Sequence, residues 1–201
     1  MANLTGSRAR PDSGPVRRWH RRVNEEEFTI ETSRLRLRPF RTDDADALFR
    51  LNSDPDVMRY TGDTPFSDPA GTRAFLDRYD RYAVDGFGRW AVERRPDAEF
   101  MGFCGLHRDQ ETGIVDLAFR FFRRFWAAGY ATEAARASLE AGFERFGLRE
   151  IEGRAMRENL ASITVLQKLG MKYREMVEDD GEFWLVYAVD ARRFLDDYLH
   201  R

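Results

Sequence analysis

Cysteine, histidine and long apolar runs are all scarce in this sequence. Cys104 is the single cysteine, which excludes a disulfide within one chain. His20, His107 and His200 lie far apart without the spacing of metal ligands, so no metal site is expected. No apolar run approaches the roughly 18 residues of a membrane span, and the N-terminus lacks the apolar core of a signal peptide. We therefore expect a cytoplasmic protein that does not contact membranes.

A large net charge is missing as well, since 33 basic residues face 35 acidic ones and the net charge is −2. The exception is the segment of residues 1–27, whose six arginines and four acids give it a charge of about +2. A nucleic-acid footprint would be larger, so nucleic acid is not an expected partner. We predict a basic, flexible tail over this segment, with contact to an acidic partner as the alternative for its arginine cluster, Arg17, Arg18, Arg21 and Arg22.

Apolar and aromatic residues are plentiful enough for one folded domain. Hydrophobic residues make up 42% and aromatic residues 13% of the 201 positions, a composition typical of a packed globule. A chain of this length holds one domain, which we place at residues 28–192. A closing helix is predicted for residues 193–201.

Hydrophobic periodicity predicts a mixed α/β fold of the α+β kind. Alternation at Leu35 and Leu37 indicates a strand, and helices are predicted for residues 42–51 and 68–83. Three antiparallel strands are predicted next, at residues 90–94, 100–106 and 114–121. A long helix at residues 129–146, a strand at 150–155 and a short helix at 159–170 follow. Two final strands are predicted on either side of Asp180 and Gly181.

Only one part of this order requires parallel strands. The strand over residues 114–121, the helix after it and the strand over residues 150–155 form a βαβ unit, which should cross over in the right-handed sense. The central twisted sheet is therefore expected to be mostly antiparallel, with one parallel pair and with helices on its faces. A crevice at the carboxyl ends of that pair is where a ligand is expected.

A turn rich in small residues joins the first parallel strand to the long helix, over residues 124–134. Two linked phosphates can be bound by main-chain N–H groups at the start of a helix, which here are those of Ala128, Gly129, Tyr130 and Ala131. A glycine before a helix more often serves only a tight turn. Both interpretations stay open on this feature alone.

The stretch Trp126–Ala134 is one of five ordered blocks that together carry a resemblance to a known family. It resembles the pyrophosphate loop of the GNAT superfamily of acetyltransferases and is most similar to the RimJ/RimL-like branch. The other four blocks are Glu31–Arg38, Asp54–Met58, Gly102–Leu106 and Glu158–Met171, so the resemblance covers about residues 30–190. It implies the GNAT fold, in which the two parallel strands splay apart.

Two departures from that pattern bear on the site. Ala127 stands where the branch has glycine, and an alanine with positive φ would cost about 1 to 2 kcal/mol, so we expect an ordinary φ there. Leu166 stands seven residues after Asn159, where other branches place a tyrosine general acid. No such tyrosine is available here.

The resemblance implies that acetyl-CoA lies along the strand that ends at Phe121. Its pantetheine would pair with main-chain groups of residues 119–121, and its diphosphate would lie at the turn. The implied contacts are Phe119, Arg120, Phe121, Trp126, Ala127, Ala128, Gly129, Tyr130, Ala131, Thr132, Asn159 and Lys168. Two of them have simpler alternatives: Asn159 is a favoured helix N-cap, and a helical lysine such as Lys168 is usually only solvated.

Candidate catalytic residues are few. Direct attack on the thioester needs no cysteine nucleophile, so Cys104 is interpreted as buried packing. By the resemblance, Ser162 lies where its hydroxyl can donate to the leaving sulfur, and the alternative is that it satisfies its own helix. Asp116 and Glu178 are candidates for accepting the amine proton, and His107 is a weaker one. Each carboxylate is more often a surface or ion-paired group.

The sequence thus predicts an N-acetyltransferase that moves an acetyl group from acetyl-CoA to a primary amine of a protein N-terminus or a small molecule. A low amine pKa favours attack, since at pH 7 an α-amine of pKa about 8 is unprotonated about one time in ten, and a lysine of about 10.4 once in roughly 10³. The alternative is a non-catalytic acyl-CoA-binding regulatory domain, which the missing tyrosine favours. The oligomeric state is left open, a homodimer included.

Overall fold

A central sheet organises the part of the chain that the structure describes. The computed structural model describes residues 25–199, with side chains up to residue 196. The predicted tail up to residue 24, its arginine cluster, His20 and His200 lie outside the described residues. Residues 25–27, also assigned to that tail by the sequence, belong to a helical turn.

The sheet has eight strands within this part of the chain, and helices pack on both of its faces. The strands are β1 (Ile30–Glu31), β2 (Leu35–Arg38), β3 (Arg89–Arg94), β4 (Glu99–Arg108), β5 (Val115–Phe121), β6 (Glu150–Met156), β7 (Lys172–Asp179) and β8 (Glu182–Asp190). The helices are α1 (Glu25–Phe28), α2 (Ala45–Asn52), α3 (Pro55–Met58), α4 (Pro69–Asp77), α5 (Arg81–Val84), α6 (Tyr130–Glu140), α7 (Leu160–Lys168) and α8 (Ala191–Leu199).

The topology confirms the predicted fold class. The strand order is β1-β2-β3-β4-β5-β6-β8-β7, and among the described strands only β5 and β6 run parallel to each other. These two strands share a single facing pair, Asp116 and Glu152. By contrast, β4 pairs with β5 along the whole length of β5. The carboxyl half of β5 therefore has one main-chain edge that β6 does not occupy, and a gap opens there.

Alternate residues of β5 enter two apolar cores, as the period of a strand requires. Leu117 and Phe119 pack in the larger core with Leu139 of α6. Ala118 packs on the opposite face with Leu48 of α2. The strand is buried along its whole length, so its position and that of the gap beside it are fixed by packing on both sides.

Local capping signals in the sequence are confirmed. The Asp68 carboxylate accepts a hydrogen bond from the Gly71 N–H at 2.6 Å, at the start of α4. The Asn159 side chain accepts one from the Ser162 N–H at 3.1 Å, at the start of α7. Each cap pairs one N–H group that the first turn of a helix leaves without a main-chain acceptor.

Three boundaries differ from the prediction. The helix predicted for residues 129–146 is regular only to Glu140, and a π-helical turn, Ala141–Arg145, follows. That turn contains Gly142, where a Cβ would lie 2.8 Å from Ile151 Cδ1, so close packing on β6 shapes it. The helix predicted for residues 68–83 divides into α4 and α5. Strand β1 was not predicted, because its two residues are too few to show the alternation of apolar and polar residues that is typical of a strand. No helix within residues 25–199 combines the length and apolar character that crossing a membrane requires.

Candidate active site

A cavity of about 690 Å³ opens at the carboxyl end of β5, where that strand and β6 diverge. Four segments form its walls: α3 with the residues after it, the end of β5, the turn into α6, and the first turns of α7. Eleven of the residues singled out in the sequence line this cavity, namely Phe119, Arg120, Phe121, Trp126, Ala127, Gly129, Ala131, Thr132, Asn159, Ser162 and Lys168.

The turn into α6 presents main-chain N–H groups without protein partners. α6 begins at Tyr130 after Gly129, which has a φ of 81°, and no side chain caps the helix. Within the described chain, no hydrogen bond is donated by the main-chain N–H groups of residues 127–132. The Trp126 indole does not plug the turn, because its Nε1–H donates to the Phe121 carbonyl at 2.8 Å. These N–H groups are therefore available as donors to an acceptor from outside the chain, which a tight turn with paired N–H groups would not offer.

The expected ordinary φ at Ala127 is wrong, because its φ is 59°. The chain must reverse between the end of β5 and α6, and the turn does so with left-handed backbone at Ala127 and again at Gly129. Ala127 is exposed, so its Cβ meets no packed neighbour and the cost is confined to the backbone, about 1 to 2 kcal/mol.

Two predicted contacts, Ala128 and Tyr130, do not line the cavity with their side chains. The Ala128 carbonyl accepts a hydrogen bond from Arg34 at 3.0 Å. The Tyr130 ring packs edge-on against Phe125, with 6.2 Å between the ring centroids. Any contribution of these two residues to binding therefore comes from their main-chain N–H groups.

Ser162 differs from the other hydroxyl residue of α7 in the cavity wall. The Thr164 hydroxyl donates to the Leu160 carbonyl at 2.7 Å, the usual way for a helical threonine to satisfy itself. The Ser162 side chain is nearly buried, and its hydroxyl makes no hydrogen bond with another described residue. The alternative that Ser162 only satisfies its own helix is therefore not what the structure contains.

Asp116 and Glu178 are not assembled with the other site residues, contrary to expectation. Asp116 is buried at the amino half of β5, 3.2 Å from His107 Nδ1 and 3.6 Å from Arg89 Nη2. Burial opposes the charge of Asp116, but the hydrogen bond from His107 and the positive charge of Arg89 hold its pKa below the ordinary value. Glu178 is exposed on the edge strand β7. Neither carboxylate lines the cavity, and His107 does not either.

Several cavity residues were missed by sequence reasoning. Five of them come from α3 and the residues after it, where the resemblance of residues 54–58 was a signal, and the other six come from the segment before α6 and from the start of α7. The carboxylates of the wall are already paired, since Asp56 lies 2.6 Å from Arg123 and Glu158 lies 2.9 Å from Arg157. The missed lining residues are Asp56, Val57, Arg59, Tyr60, Thr61, Phe125, Glu158, Leu160, Ala161, Thr164 and Val165.

The Arg120 side chain stabilises the cavity wall, whereas the contact implied by the resemblance involves the main chain of this residue. Its guanidinium is buried and turned away from the strand edge, 2.6 Å from Asp63 and in contact with the Asn52 amide oxygen. Arg120 thereby ties the segment after α3 to the sheet. Its side chain is therefore not available to a ligand along the edge of β5.

Cys104 is unsuited to nucleophilic chemistry. It is fully buried on β4 outside the cavity wall, and burial raises the pKa of its thiol to about 12. A protonated thiol is a poor nucleophile, so packing is its role. Among residues 25–199, no group of three or more His, Cys, Asp or Glu residues is arranged to hold a metal ion.

The family follows from comparison with known proteins. The Acetyltransferase (GNAT) domain model matches residues 34–172. The chain belongs to the GNAT acetyltransferase family. An N-acetyltransferase p20 of Bacillus licheniformis, described as uncharacterized, is 31% identical over 173 residues, which are 85% of this chain and 93% of that protein. This GNAT protein is thus an acyltransferase.

Two further relatives extend the comparison. An FsC-acetyl coenzyme A-N(2)-transacetylase of Aspergillus fumigatus is 29% identical over 157 residues, 73% of this chain and 66% of that protein. The crystal structure of a GNAT-family acetyltransferase from Bacillus anthracis superposes with a TM-score of 0.71 at 26% identity, covering 82% of this chain and 99% of that one. The GNAT fold therefore extends over most of the chain.

The positive φ of Ala127 generates a stability prediction for this GNAT acetyltransferase. Ala127→Gly should raise the free energy of unfolding by up to about 1 kcal/mol, because glycine adopts left-handed backbone without strain. Ala128→Gly is the matched control, since φ at this neighbouring residue is not positive, and it should lower stability by a similar amount. Urea denaturation measures both. Equal losses in the two variants would contradict the left-handed backbone at Ala127.

Proposed function

We propose that this enzyme transfers an acetyl group from acetyl-CoA to a primary amine by direct attack. The observation that carries the proposal is the row of unpaired N–H groups at residues 127–132, at the open end of the divergent strands. A diphosphate supplies acceptors for several of these groups together, and the N-terminus of α6 favours its negative charge.

Further features support acetyl-CoA as the donor. An extended pantetheine arm can pair, as an added strand would, with main-chain groups on the edge of β5 that β6 does not occupy, apart from the Phe121 carbonyl, which the Trp126 indole occupies. Lys168 lines the same cavity and forms no ion pair with a described carboxylate, so its charge can balance a phosphate of CoA. The name of the Aspergillus fumigatus relative includes acetyl coenzyme A.

In the proposed reaction the amine nitrogen attacks the thioester carbonyl carbon. The C–N bond forms, and the C–S bond breaks when the tetrahedral intermediate collapses. The Ser162 hydroxyl donates to the departing sulfur and regains its proton from solvent. The proton lost by the amine passes to water, because the carboxylates of the described cavity wall, Asp56 and Glu158, are engaged by arginines.

The acceptor is proposed to be an amine of low pKa, such as the α-amine of a protein N-terminus or a small molecule. Without an unpaired base in the described wall, attack depends on the fraction of amine that is already neutral. That fraction is roughly 100 times larger at pH 7 for an α-amine than for a lysine side chain.

Binding of CoA tests the turn directly. Gly129→Asp should abolish measurable binding, because it puts a negative charge next to the N–H groups proposed to bind the diphosphate and crowds Arg34 Nη2, which lies 3.5 Å from the position of the new Cβ. Gly181→Asp is the matched control, since Gly181 has the same φ of 81° but lies in the β7–β8 turn outside the cavity wall. Calorimetric titration and thermal melting compare the two. Unchanged CoA affinity in Gly129→Asp would refute the assignment of the turn.

Substitution of Ser162 tests the role of its hydroxyl in turnover. Ser162→Ala should lower kcat about 100-fold while the Kd of CoA changes less than about twofold, because only the departing thiolate needs the proton. Thr164→Ala, whose lost hydroxyl was satisfied within its own helix, should leave kcat nearly unchanged. Thiol release measures both variants. A parallel loss of CoA affinity and kcat in Ser162→Ala would indicate a packing role.

Acceptor preference tests the amine proposal. At pH 7, kcat/KM should be about 100-fold higher for a peptide with a free N-terminus and no lysine than for an N-terminally blocked peptide with one lysine. The rate with each peptide should rise with pH until its amine is deprotonated. Equal rates for both peptides at pH 7 would contradict the proposal, and CoA binding without turnover across polyamines, aminoglycosides, amino acids and peptides would favour a non-catalytic domain.

A further inference from the structure

We propose that Arg34 and Glu133 are positioning residues that fix the main chain of the turn at residues 127–132 from the side opposite the cavity. The inference rests on the proposed binding of CoA at that turn. Neither side chain lines the cavity, so neither is expected to touch the phosphates. Together they join two of the blocks that resemble the GNAT family, residues 31–38 and residues 126–134. The proposed chemistry gives no role to the first of these blocks.

Glu133 gathers donors from the segment that leads into β2. Its Oε1 accepts hydrogen bonds from the Thr32 hydroxyl at 2.6 Å, the Ser33 hydroxyl at 3.2 Å and the Arg34 N–H at 3.1 Å. Its Oε2 accepts from Arg34 Nε at 2.6 Å. Burial opposes the charge of Glu133, but these bonds hold its pKa below the ordinary value. The first turn of α6 is thus anchored to the start of β2.

Arg34 uses its remaining donors on the turn itself. Its Nη1 donates to the Ala128 carbonyl at 3.0 Å, and its guanidinium lies 4.4 Å from the centroid of the Tyr130 ring. Its Nη2 is 3.5 Å from the place where a Cβ on Gly129 would be. Arg34 therefore contacts the residues on either side of Gly129 and leaves little room beside that glycine, and Glu133 determines the orientation of its guanidinium.

The geometry of the peptide bond turns this contact into control of a binding group. The Ala128 carbonyl and the Gly129 N–H belong to one trans peptide unit, so they point in opposite directions. Holding the carbonyl outward at Arg34 holds the N–H of Gly129 toward the cavity. Glycine permits either orientation of this unit, so without the arginine the peptide can rotate and withdraw the donor.

The sign of a charge effect separates positioning from simple electrostatics. Glu133→Gln removes a negative charge close to the proposed site of the CoA phosphates. If only Coulomb interactions mattered, the loss of this repulsion should strengthen CoA binding. Loss of positioning should weaken it. Arg34→Lys keeps the positive charge but cannot donate to Glu133 and Ala128 together, so it should weaken binding as well.

The experiment measures CoA affinity by calorimetry in Glu133→Gln, Arg34→Lys and a control. Each of the two variants should raise the Kd of CoA and the KM of acetyl-CoA about tenfold, with kcat at saturating donor changed less than about threefold. Arg174→Lys is the matched control, because Arg174 also bridges two acceptors at similar exposure but lies on β7. It should bind CoA like the parent enzyme.

Amide hydrogen exchange without ligand adds a readout that does not depend on activity. Exchange of the main-chain N–H of Glu133, which donates to the Gly129 carbonyl at 3.0 Å, should be faster in Arg34→Lys than in the parent enzyme, with the rest of α6 unchanged. Parent-like or tighter CoA binding in Glu133→Gln would overturn the inference. If the parent enzyme itself binds no CoA, both the proposed function and this inference fail. If Gly129→Asp loses CoA binding while Glu133→Gln and Arg34→Lys bind like the parent enzyme, the proposed function stands and only this inference fails.

Discussion

Main-chain N–H groups without protein acceptors, at the turn between β5 and α6, are the feature on which the candidate site depends. Such groups are unfavourable in a closed interior, so they persist here because the turn borders an open cavity. Other helices of the described chain begin differently: Asp68 and Asn159 side chains cap α4 and α7, whereas no side chain caps α6. The starts of α2 and α5 also lack a side-chain cap, but they lie outside the cavity wall, whereas the uncapped start of α6 lies in it.

The single parallel strand pair determines where that cavity lies. Every other described neighbour of β5 and β6 is antiparallel and paired over most of its length, which leaves no gap. At β5 and β6, one facing pair holds the strands together near Asp116 and Glu152, and divergence beyond it exposes the edge of β5. The buried carboxylate of Asp116, held by His107 and Arg89, thus belongs to the closed end of the pair, away from the open end where the turn lies.

Sequence reasoning identified the features that depend on neighbouring residues. The Asn159 cap, the antiparallel strands β3 to β5 and the turn at Gly129 all leave a local pattern, and the structure contains them. The partners of Asp116 and the φ of Ala127 leave none, because they depend on strands and loops distant in the chain. Contact between Arg34 and Ala128 spans 94 positions, so only the folded chain reveals that two separate sequence blocks form one unit.

Ala127 and the Arg34 contact act on the same backbone in complementary ways. Left-handed backbone at Ala127 and Gly129 turns successive N–H groups toward one side, the arrangement of an anion-binding nest. Alanine adopts this left-handed conformation under strain of about 1 to 2 kcal/mol, yet fewer backbone conformations are accessible to alanine than to glycine. The carbonyl between the two residues is the one that Arg34 holds. A turn restricted in this way before a ligand arrives loses less conformational entropy when the ligand binds.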